Sequence, residues 1–233
     1  MQRFAPKAGG EVTVTSTGSG EQGITFLVDG EALSAPVFGE FQVQIFAPAI
    51  IMGRRFGVAT ERLRERLRSF TPPPGRGRLL AGVQGSRLWD FSYNSSPLAT
   101  GEAVRTLGAL KWAARRIALL GTMNELGDLS LQEHERLGAL AAEYADEIVF
   151  VGSEAAAFAR GVGERRPLHC FDTAAEAGEY LRGQVQPGDL VLVKGSQSGV
   201  YLEAAVEFLL ADPNDAEQLC RRGARWREGR QPV

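Results

Sequence analysis

The chain of 233 residues is 44% hydrophobic and 23% charged, a composition typical of a globular protein with one large domain or two smaller ones. A formal net charge of −2 and a pI near 5.8 give no global reason to expect a nucleic-acid or membrane partner. No apolar run reaches the length of a membrane span, and the first residues lack the apolar core of a signal peptide, so we predict a cytoplasmic protein. Two cysteines and two histidines form no metal-ligand spacing, and no bound metal is predicted.

The N-terminal part of the chain predicts a few strands followed by helix. Two runs between residues 11 and 28 alternate apolar and polar residues, and the Asp29-Gly30 pair is a strong signal for a tight turn between antiparallel strands. A proline-containing apolar segment at 41–56 precedes a helix that we expect Thr60 to cap. The run Thr-Pro-Pro-Pro-Gly at 71–75 ends this helix, and we place a domain boundary there.

From residue 87 onward strand and helix patterns alternate, which predicts a mostly parallel sheet with helices on both faces. The fold class is therefore α/β: a Rossmann-like domain at 76–212, preceded by a small β-plus-helix segment at 1–75 and followed by a peripheral tail at 213–233. The predicted strands lie at 87–93, 116–120, 147–151, 168–171 and 190–193. The predicted helices lie at 98–110, 130–144, 154–160, 174–182 and 200–210. Capping boxes at Ser130 and Thr173 support two of the helix starts.

The junction after the last predicted strand is where we expect chemistry. An apolar run ends at Lys194 and opens into a polar, glycine-bearing loop that precedes a helix. In open α/β sheets, ligands bind beyond the carboxyl ends of the strands, where helix N-termini offer backbone N–H groups to anions. Lys194, Ser196 and Ser198 therefore stand where a carboxylate or phosphate would be held. The alternative is that Gly195 only makes the turn and that the serines only cap the helix.

Arg76 and Arg78 follow the proline-rich run, at a seam where an anionic ligand would be gripped between domains. Catalytic patterns are lacking in the rest of the sequence. No Gly-x-Gly-x-x-Gly follows a predicted strand, no Gly-x-x-x-x-Gly-Lys-Ser/Thr occurs, and neither a Ser-His-Asp set nor a Cys-His pair has recognisable spacing. We therefore predict no self-sufficient nucleotide site and assign no catalytic residue.

Three polar motifs occur in order along the second half of the chain. They are Asp-Phe-Ser-Tyr-Asn-Ser-Ser-Pro at 90–97, Leu-Gly-Thr-Met-Asn-Glu-Leu-Gly at 120–127 and Val-Lys-Gly-Ser-Gln-Ser at 193–198. Gly75-Arg76 precedes them, and His134 follows the second. This set resembles the Mur ligase family, and within it the ligases that join D-alanyl-D-alanine to a UDP-N-acetylmuramoyl peptide. The resemblance covers roughly residues 10–210.

The resemblance implies that the chain is one part of a peptidoglycan-building enzyme. Such ligases have a UDP-substrate domain, a central ATPase domain and a C-terminal Rossmann-like domain; residues 1–75 resemble the end of the central domain and 76–212 the C-terminal one. ATP phosphorylates the peptide carboxylate, and the amine of D-alanyl-D-alanine attacks the acyl phosphate. ATP and magnesium serve the complete enzyme. Because the phosphate loop and the UDP-substrate domain are missing, we expect neither tight cofactor binding nor ligase activity from this chain alone.

The resemblance also implies a role for each motif residue. On the ATP side it places Arg76, Asp90, Tyr93 and Asn94. On the side of the amino-substrate, D-alanyl-D-alanine or a related small molecule, it places Asn124, Glu125, Lys194, Gly195, Ser196 and Ser198. Alternatives remain open for several of them: a solvated linker for Arg76, an ordinary strand-end aromatic for Tyr93, and helix capping for Asn124 and Glu125.

The motifs depart from the family pattern at several positions. Phe91 and Thr122 stand where the family has aspartates, and Gln197 stands where it has an arginine. Residues 39–43 replace the family's Gly-x-His-Asn-Val, so its adenine-side contacts are expected to be lost. We expect Phe91 to pack under its loop, and we interpret His134, inside a predicted helix, as a surface or packing residue.

Two functions from different classes follow from these observations. The first is the C-terminal portion of a ligase, as a truncated gene product, an excised domain or one subunit of a split enzyme. In the split enzyme the partner is an upstream Mur ligase fragment, and the interface consists of exposed apolar residues that include Ile45, Phe46, Ile50 and Ile51. The second is a non-catalytic binding or regulatory module that kept the fold and lost the chemistry. An unrelated small-molecule enzyme on the same scaffold is a third interpretation, and the lack of a catalytic set argues against it.

Overall fold

The computed structural model describes residues 2–4 and 12–222 of the chain. The chain divides into two compact units, Met1–Pro72 and Pro73–Val233. Part of the first predicted strand run, Glu11, and the end of the predicted tail, 223–233, lie outside the described residues. No helix among the described residues combines the length and apolar character needed to cross a membrane.

The first unit contains an antiparallel sheet and two helices. Its strands, in spatial as well as chain order, are β1 (Gln2–Phe4), β2 (Val12–Gly20), β3 (Gly23–Val28) and β4 (Glu31–Ala35). The predicted Asp29-Gly30 turn is confirmed between β3 and β4. Asp29 has a φ of 51° and Gly30 a φ of 82°; positive φ at both central residues is what a tight hairpin turn requires.

Helix α1 (Val43–Arg55) and helix α2 (Thr60–Arg68) follow the sheet. Helix α1 continues through Pro48, an exposed residue that removes one backbone N–H donor from the helix. The prediction that Thr60 caps α2 is wrong by one residue, because Thr60 is already helical and Ala59 occupies the cap position.

The predicted apolar interface of this unit needs correction. Phe46 and Ile50 are only 6% and 2% exposed because they pack with strand residues in the core of the unit itself. Ile45 is exposed as expected and Ile51 is half-buried; Met52 and Phe56 are further exposed apolar side chains on α1 and at its end.

The second unit is built on a six-stranded sheet that confirms the predicted α/β fold. Its strands are β5 (Arg78–Ala81), β6 (Arg87–Phe91), β7 (Arg116–Gly121), β8 (Glu147–Val151), β9 (Leu168–Phe171) and β10 (Leu190–Lys194). Their spatial order is β5-β6-β10-β7-β8-β9, and only the pairing of β5 with β6 is antiparallel. Sequence analysis misses β5 but finds the other five strands.

Five helices cover this sheet: α3 (Pro97–Ala109), α4 (Ser130–Tyr144), α5 (Ala155–Val162), α6 (Ala174–Gln184) and α7 (Glu203–Leu209). Helices α6 and α7 pack on the sheet face that carries Leu88, Ile117 and Val191. Helices α4 and α5 pack closely at two glycines: a Cβ on Gly138 would lie 2.1 Å from the Phe158 carbonyl oxygen, and one on Gly161 would lie 1.9 Å from that of Glu135.

Three expectations about helix starts can be compared with the structure. The capping box at Thr173 is confirmed, since its Oγ1 accepts a bond from the Glu176 backbone N–H and Glu176 accepts one from the Thr173 N–H. The box at Ser130 is wrong, because a 3-10 turn leads into α4 and Ser130 is already its first residue. The helix predicted from residue 200 begins only at Glu203, because Tyr201 has a left-handed φ of 49° that a helix cannot contain.

The peripheral tail predicted from residue 213 is also wrong for part of its described length. A 3-10 helix covers Pro213–Gln218, and the chain then turns back into the unit. Leu219, Cys220 and Arg221 are 2%, 6% and 7% exposed. Leu219 belongs to the core beneath α6 and α7, so this segment is an integral part of the second unit.

Candidate functional site

The three sequence motifs meet at one edge of the sheet because β10 lies between β6 and β7. Lys194 at the end of β10 is in register with Phe91 of β6 and with Leu120 of β7. The three strands are parallel, so the loops that leave their carboxyl ends, 92–96, 122–126 and 195–202, lie side by side. This edge, which we term the carboxyl edge, is where open α/β sheets bind ligands.

Lys194 is the buried cation of the carboxyl edge. The residue is only 4% exposed. Its Nζ donates to the Asn94 carbonyl oxygen at 2.9 Å and lies 5.3 Å from the Phe91 ring centroid. Burial, together with the positive charge of Arg76, lowers the pKa of Lys194 from 10.5 to about 8. The described residues supply one hydrogen-bond acceptor, the Asn94 carbonyl oxygen, for an ammonium group that has three N–H donors.

Arg76 is the exposed cation of the same edge. Its guanidinium carbon lies 4.2 Å from the Tyr93 ring centroid, within the range of a cation–π contact. The preceding residue, Gly75, accepts a bond from the Tyr93 backbone N–H at 3.1 Å, which fixes the approach to β5 against the motif loop. Within the described part of the chain, neither Arg76 nor Lys194 forms an ion pair with a carboxylate.

Asp90 and Phe91 are neighbours at the end of β6 and differ in burial. Asp90 is fully buried; its Oδ1 accepts a bond from the Ser92 backbone N–H at 2.9 Å, and its Oδ2 has no hydrogen-bond partner among the described residues. Burial raises the pKa of the Asp90 carboxyl, against the opposing hydrogen bonds from Ser92. Phe91 packs edge-on against Trp89 with 4.9 Å between ring centroids. Asp90 therefore lies beneath the carboxyl edge and does not open onto its surface.

Asn124, Ser196 and Ser198 join two of the loops. The Asn124 backbone N–H donates to Ser196 Oγ at 2.8 Å, and Asn124 Nδ2 donates to the Ser198 carbonyl oxygen at 2.7 Å. Asn124 is therefore not a helix cap, and Ser196, which is 2% exposed, does not cap α7. Glu125 is exposed and has a left-handed φ of 65°.

Gly195 packs closely against a neighbouring side chain. Its φ is not in the left-handed region, so the backbone conformation at this position does not itself require glycine. A Cβ at this position would instead lie 2.9 Å from the Leu202 side chain, which underlies the loop.

His134 supports the 122–126 loop from below. It is fully buried in α4, where Nε2 accepts a bond from the Met123 backbone N–H at 2.8 Å. Nδ1 therefore carries the proton and donates to the Ser130 carbonyl oxygen at 2.7 Å. The interpretation of His134 as a packing residue agrees with this position.

Replacing His134 by phenylalanine is expected to lower the free energy of unfolding by about 1–3 kcal/mol, because the buried Met123 N–H loses its acceptor while the ring volume is kept. Urea denaturation followed by circular dichroism measures the change. The matched control is His169→Phe, since His169 is half-buried and stacks on Tyr180 with 4.6 Å between centroids. Equal effects of the two substitutions would contradict a specific role for the imidazole of His134.

Sequence reasoning misses Arg221, which lies directly behind the 92–96 loop. Its guanidinium pairs with Glu203 and also donates to the carbonyl oxygens of Ser92 and Tyr93. No local pattern marks this arginine, since it lies outside every predicted element and in a stretch expected to be peripheral.

The described residues provide only part of what ATP chemistry needs. Arg76 and Lys194 suit the phosphate or carboxylate groups of a ligand. No group of three or more acidic, histidine or cysteine side chains in the described part of the chain is arranged to hold a metal ion. A magnesium ion at this edge would therefore need ligands beyond these residues.

Comparison with known proteins explains why the three motifs occur together. The family model described as Mur ligase, glutamate ligase domain, matches residues 75–197, more than half of the chain. The chain belongs to the Mur ligase family. The matched range includes β6, β7 and β10 and the greater part of the loops of the carboxyl edge.

Several curated Mur ligases are similar to this chain. The UDP-N-acetylmuramoyl-tripeptide–D-alanyl-D-alanine ligase of Mycobacterium leprae is 32% identical over 202 residues, which are 76% of this chain and 38% of that protein. The ligase of the same description from Bacillus subtilis is 27% identical over 199 residues, 83% of this chain and 43% of that protein. The chain thus spans less than half the length of the curated Mur ligases that it matches.

Solved Mur ligase structures have the same fold. MurF from Acinetobacter baumannii superposes with a TM-score of 0.72 at 28% identity, covering 83% of this chain and 44% of that one. MurF from Thermotoga maritima, solved in complex with ADP, gives a TM-score of 0.68 at 22% identity and covers 89% of this chain and 44% of that one.

Proposed function

We propose that this chain is the C-terminal portion of an ATP-dependent ligase that joins D-alanyl-D-alanine to a UDP-N-acetylmuramoyl peptide in peptidoglycan biosynthesis, and that its carboxyl edge binds anionic groups of the reactants. The observation that carries the proposal is the presence of two cations, Arg76 and Lys194, on motif loops of a Mur ligase domain, without a carboxylate partner among the described residues. Cations left unpaired in this way favour an anionic ligand, since a bound anion would offset their mutual repulsion.

The two cations suit different groups. Arg76 is exposed and stacked on Tyr93, so its planar fork remains available for bidentate contact with a phosphate. Lys194 is a nearly buried point charge, which suits a carboxylate or phosphoryl oxygen that enters the edge. The exposed Asn94 and Ser198 side chains and the Glu125 carboxylate lie on the same loops and are proposed to contact the amino-substrate or nucleotide.

In a complete enzyme the phosphate loop, the magnesium ligands and the UDP-substrate domain would come from residues outside this stretch of sequence. We propose that an upstream Mur ligase fragment provides them and that the exposed apolar side chains Ile45, Met52 and Phe56 form part of the contact. Mixing this chain with such a fragment is expected to give ATP-dependent ligation that neither gives alone. Failure of the fragment both to bind and to restore ligation would exclude this arrangement.

Calorimetric titration of the purified chain tests the anion site directly. We expect pyrophosphate, and separately D-alanyl-D-alanine, to bind the wild-type chain, and Arg76→Met to weaken pyrophosphate binding by about 10- to 100-fold, the range of a lost charge-assisted hydrogen bond. The matched control is Arg160→Met, which removes a surface arginine paired with Glu135 on the outer helices. No heat with any of these ligands, or equal losses in both variants, would refute the site.

A second candidate is a non-catalytic binding module, and Phe91 is the observation that favours it. A ring packed on Trp89 occupies the position where the family has an acidic side chain facing the nucleotide. Such a module would bind a ligand at the carboxyl edge without turnover. Hydrolysis of ATP by the pure chain would rule this candidate out.

A further inference from the structure

Arg221 forms a hydrogen-bonded clamp in the interior of the second unit. Its side chain is 2% exposed and pairs with Glu203, the fully buried first residue of α7. Nε donates to Glu203 Oε1 at 2.8 Å, and Nη2 donates to Oε2. The same guanidinium donates from Nη1 to the Tyr93 carbonyl oxygen at 2.7 Å and from Nη2 to that of Ser92 at 2.6 Å.

The clamp acts on the motif loop next to the two cations. Three consecutive carbonyl groups of this loop are each held by a cation: those of Ser92 and Tyr93 by Arg221, and that of Asn94 by Lys194. The guanidinium carbon of Arg221 also lies 5.8 Å from the Tyr93 ring centroid. Arg76 contacts the same ring at 4.2 Å. Arg221 therefore contacts this loop at two successive carbonyl groups, next to the one that Lys194 contacts.

The cost of the arrangement indicates that it does more than fill space. Burying an ion pair is expensive, and an apolar pair of similar size is often as stable or more stable. Arg221 also has a left-handed backbone, with a φ of 56°, a conformation that costs free energy for a residue with a side chain. An arginine is required because four bonds from one planar fork reach three residues, which a lysine ammonium cannot reproduce.

We propose that Arg221, anchored by Glu203, is a positioning residue for the anion site: it sets the Ser92–Tyr93 backbone and thereby the ring beneath Arg76 and the carbonyl that receives Lys194. This inference rests on the proposed function, because it assigns Arg221 to the anion site of the carboxyl edge. Arg221 is then part of the binding apparatus through its contacts with the 92–96 loop.

A double substitution separates positioning from stability. Arg221→Met removes the guanidinium that faces the buried Glu203 carboxylate, so both stability and pyrophosphate affinity are expected to fall. In the Glu203→Met, Arg221→Met variant both charges are gone, and the melting temperature is expected to return close to that of the wild type. Pyrophosphate affinity is expected to stay about tenfold or more below wild type, because the carbonyl groups of Ser92 and Tyr93 have lost the guanidinium that positions them. Recovery of affinity together with stability would overturn the proposal.

Two further measurements keep the test decisive. Arg221→Lys keeps the charge opposite Glu203; we expect it to fold and to bind pyrophosphate more weakly than wild type, and wild-type affinity would count against the proposal.

Amide hydrogen exchange of residues 92–95 in the unliganded chain should be faster in the double variant. If the wild type binds no pyrophosphate, the proposed function fails, whereas unchanged exchange in the double variant overturns the positioning role itself.

Discussion

Replacing Lys194 by methionine is expected to stabilise the unliganded chain while removing anion binding at the carboxyl edge. Burial moves the pKa of Lys194 from 10.5 to about 8. At pH 7 this shift lowers the free energy of unfolding by about 3 kcal/mol, because the charged ammonium is less stable in the native state. Methionine fills a similar volume without charge, and the lost hydrogen bond to Asn94 offsets about 1 kcal/mol. The expected net gain is about 2 kcal/mol in urea denaturation, with pyrophosphate affinity lower by about 10- to 100-fold.

The pH dependence of stability gives an independent reading of the same residue. Between pH 8 and 10.5 the unfolded chain keeps the Lys194 proton that the native chain has released, so the contribution of Lys194 to stability rises with pH. The Lys194→Met variant should lack this rise. Lys111 is an exposed lysine and provides the control, since Lys111→Met should leave the rise intact. A Lys194→Met protein less stable than wild type at pH 7 would contradict the argument.

Replacing Gly161 by alanine is expected to unfold the second unit or destabilise it by more than about 4 kcal/mol. A Cβ there would lie 1.9 Å from the Glu135 carbonyl oxygen, so the backbones of α4 and α5 would have to move apart. Circular dichroism and urea denaturation measure the loss.

The matched control for this prediction is Gly183→Ala, in the last turn of α6. A Cβ at Gly183 meets nothing within 4 Å. Alanine there should raise the free energy of unfolding by about 0.5–1 kcal/mol, because glycine is costly inside a helix. A Gly161→Ala protein with wild-type stability would show that the two helices can separate at little cost.

Elements with strong local patterns are predictable from this sequence. Five strands of the second sheet and the Thr173 helix start follow from apolar runs and capping residues that act within a few positions. Strand β5 is missed because it has four residues, of which only Leu80 is buried. The start of α7 is misplaced because the left-handed backbone at Tyr201 has no sequence signal of its own.

The carboxyl edge is predictable in outline and not in its contacts. The rule that ligands bind where parallel strands end points to Lys194, Ser196 and Ser198 from the sequence alone, and the family resemblance adds Arg76 and the other motif loops. The role of Arg221 depends on bonds to Ser92 and Tyr93, which lie more than 120 positions earlier in the chain. Only tertiary structure creates that juxtaposition, so neither composition nor periodicity could reveal it.

The central place of β10 determines when this unit can become functional during synthesis. It is the last strand of its sheet in chain order, yet it separates β6 from β7, so each of those strands keeps an unpaired edge until residues 190–194 have left the ribosome. Unpaired strand edges are templates for aggregation. A nascent chain interrupted before Leu190 would therefore expose the unpaired edges of β6 and β7 to chaperones and proteases. The anion site can form only after β10 has been inserted between these two strands.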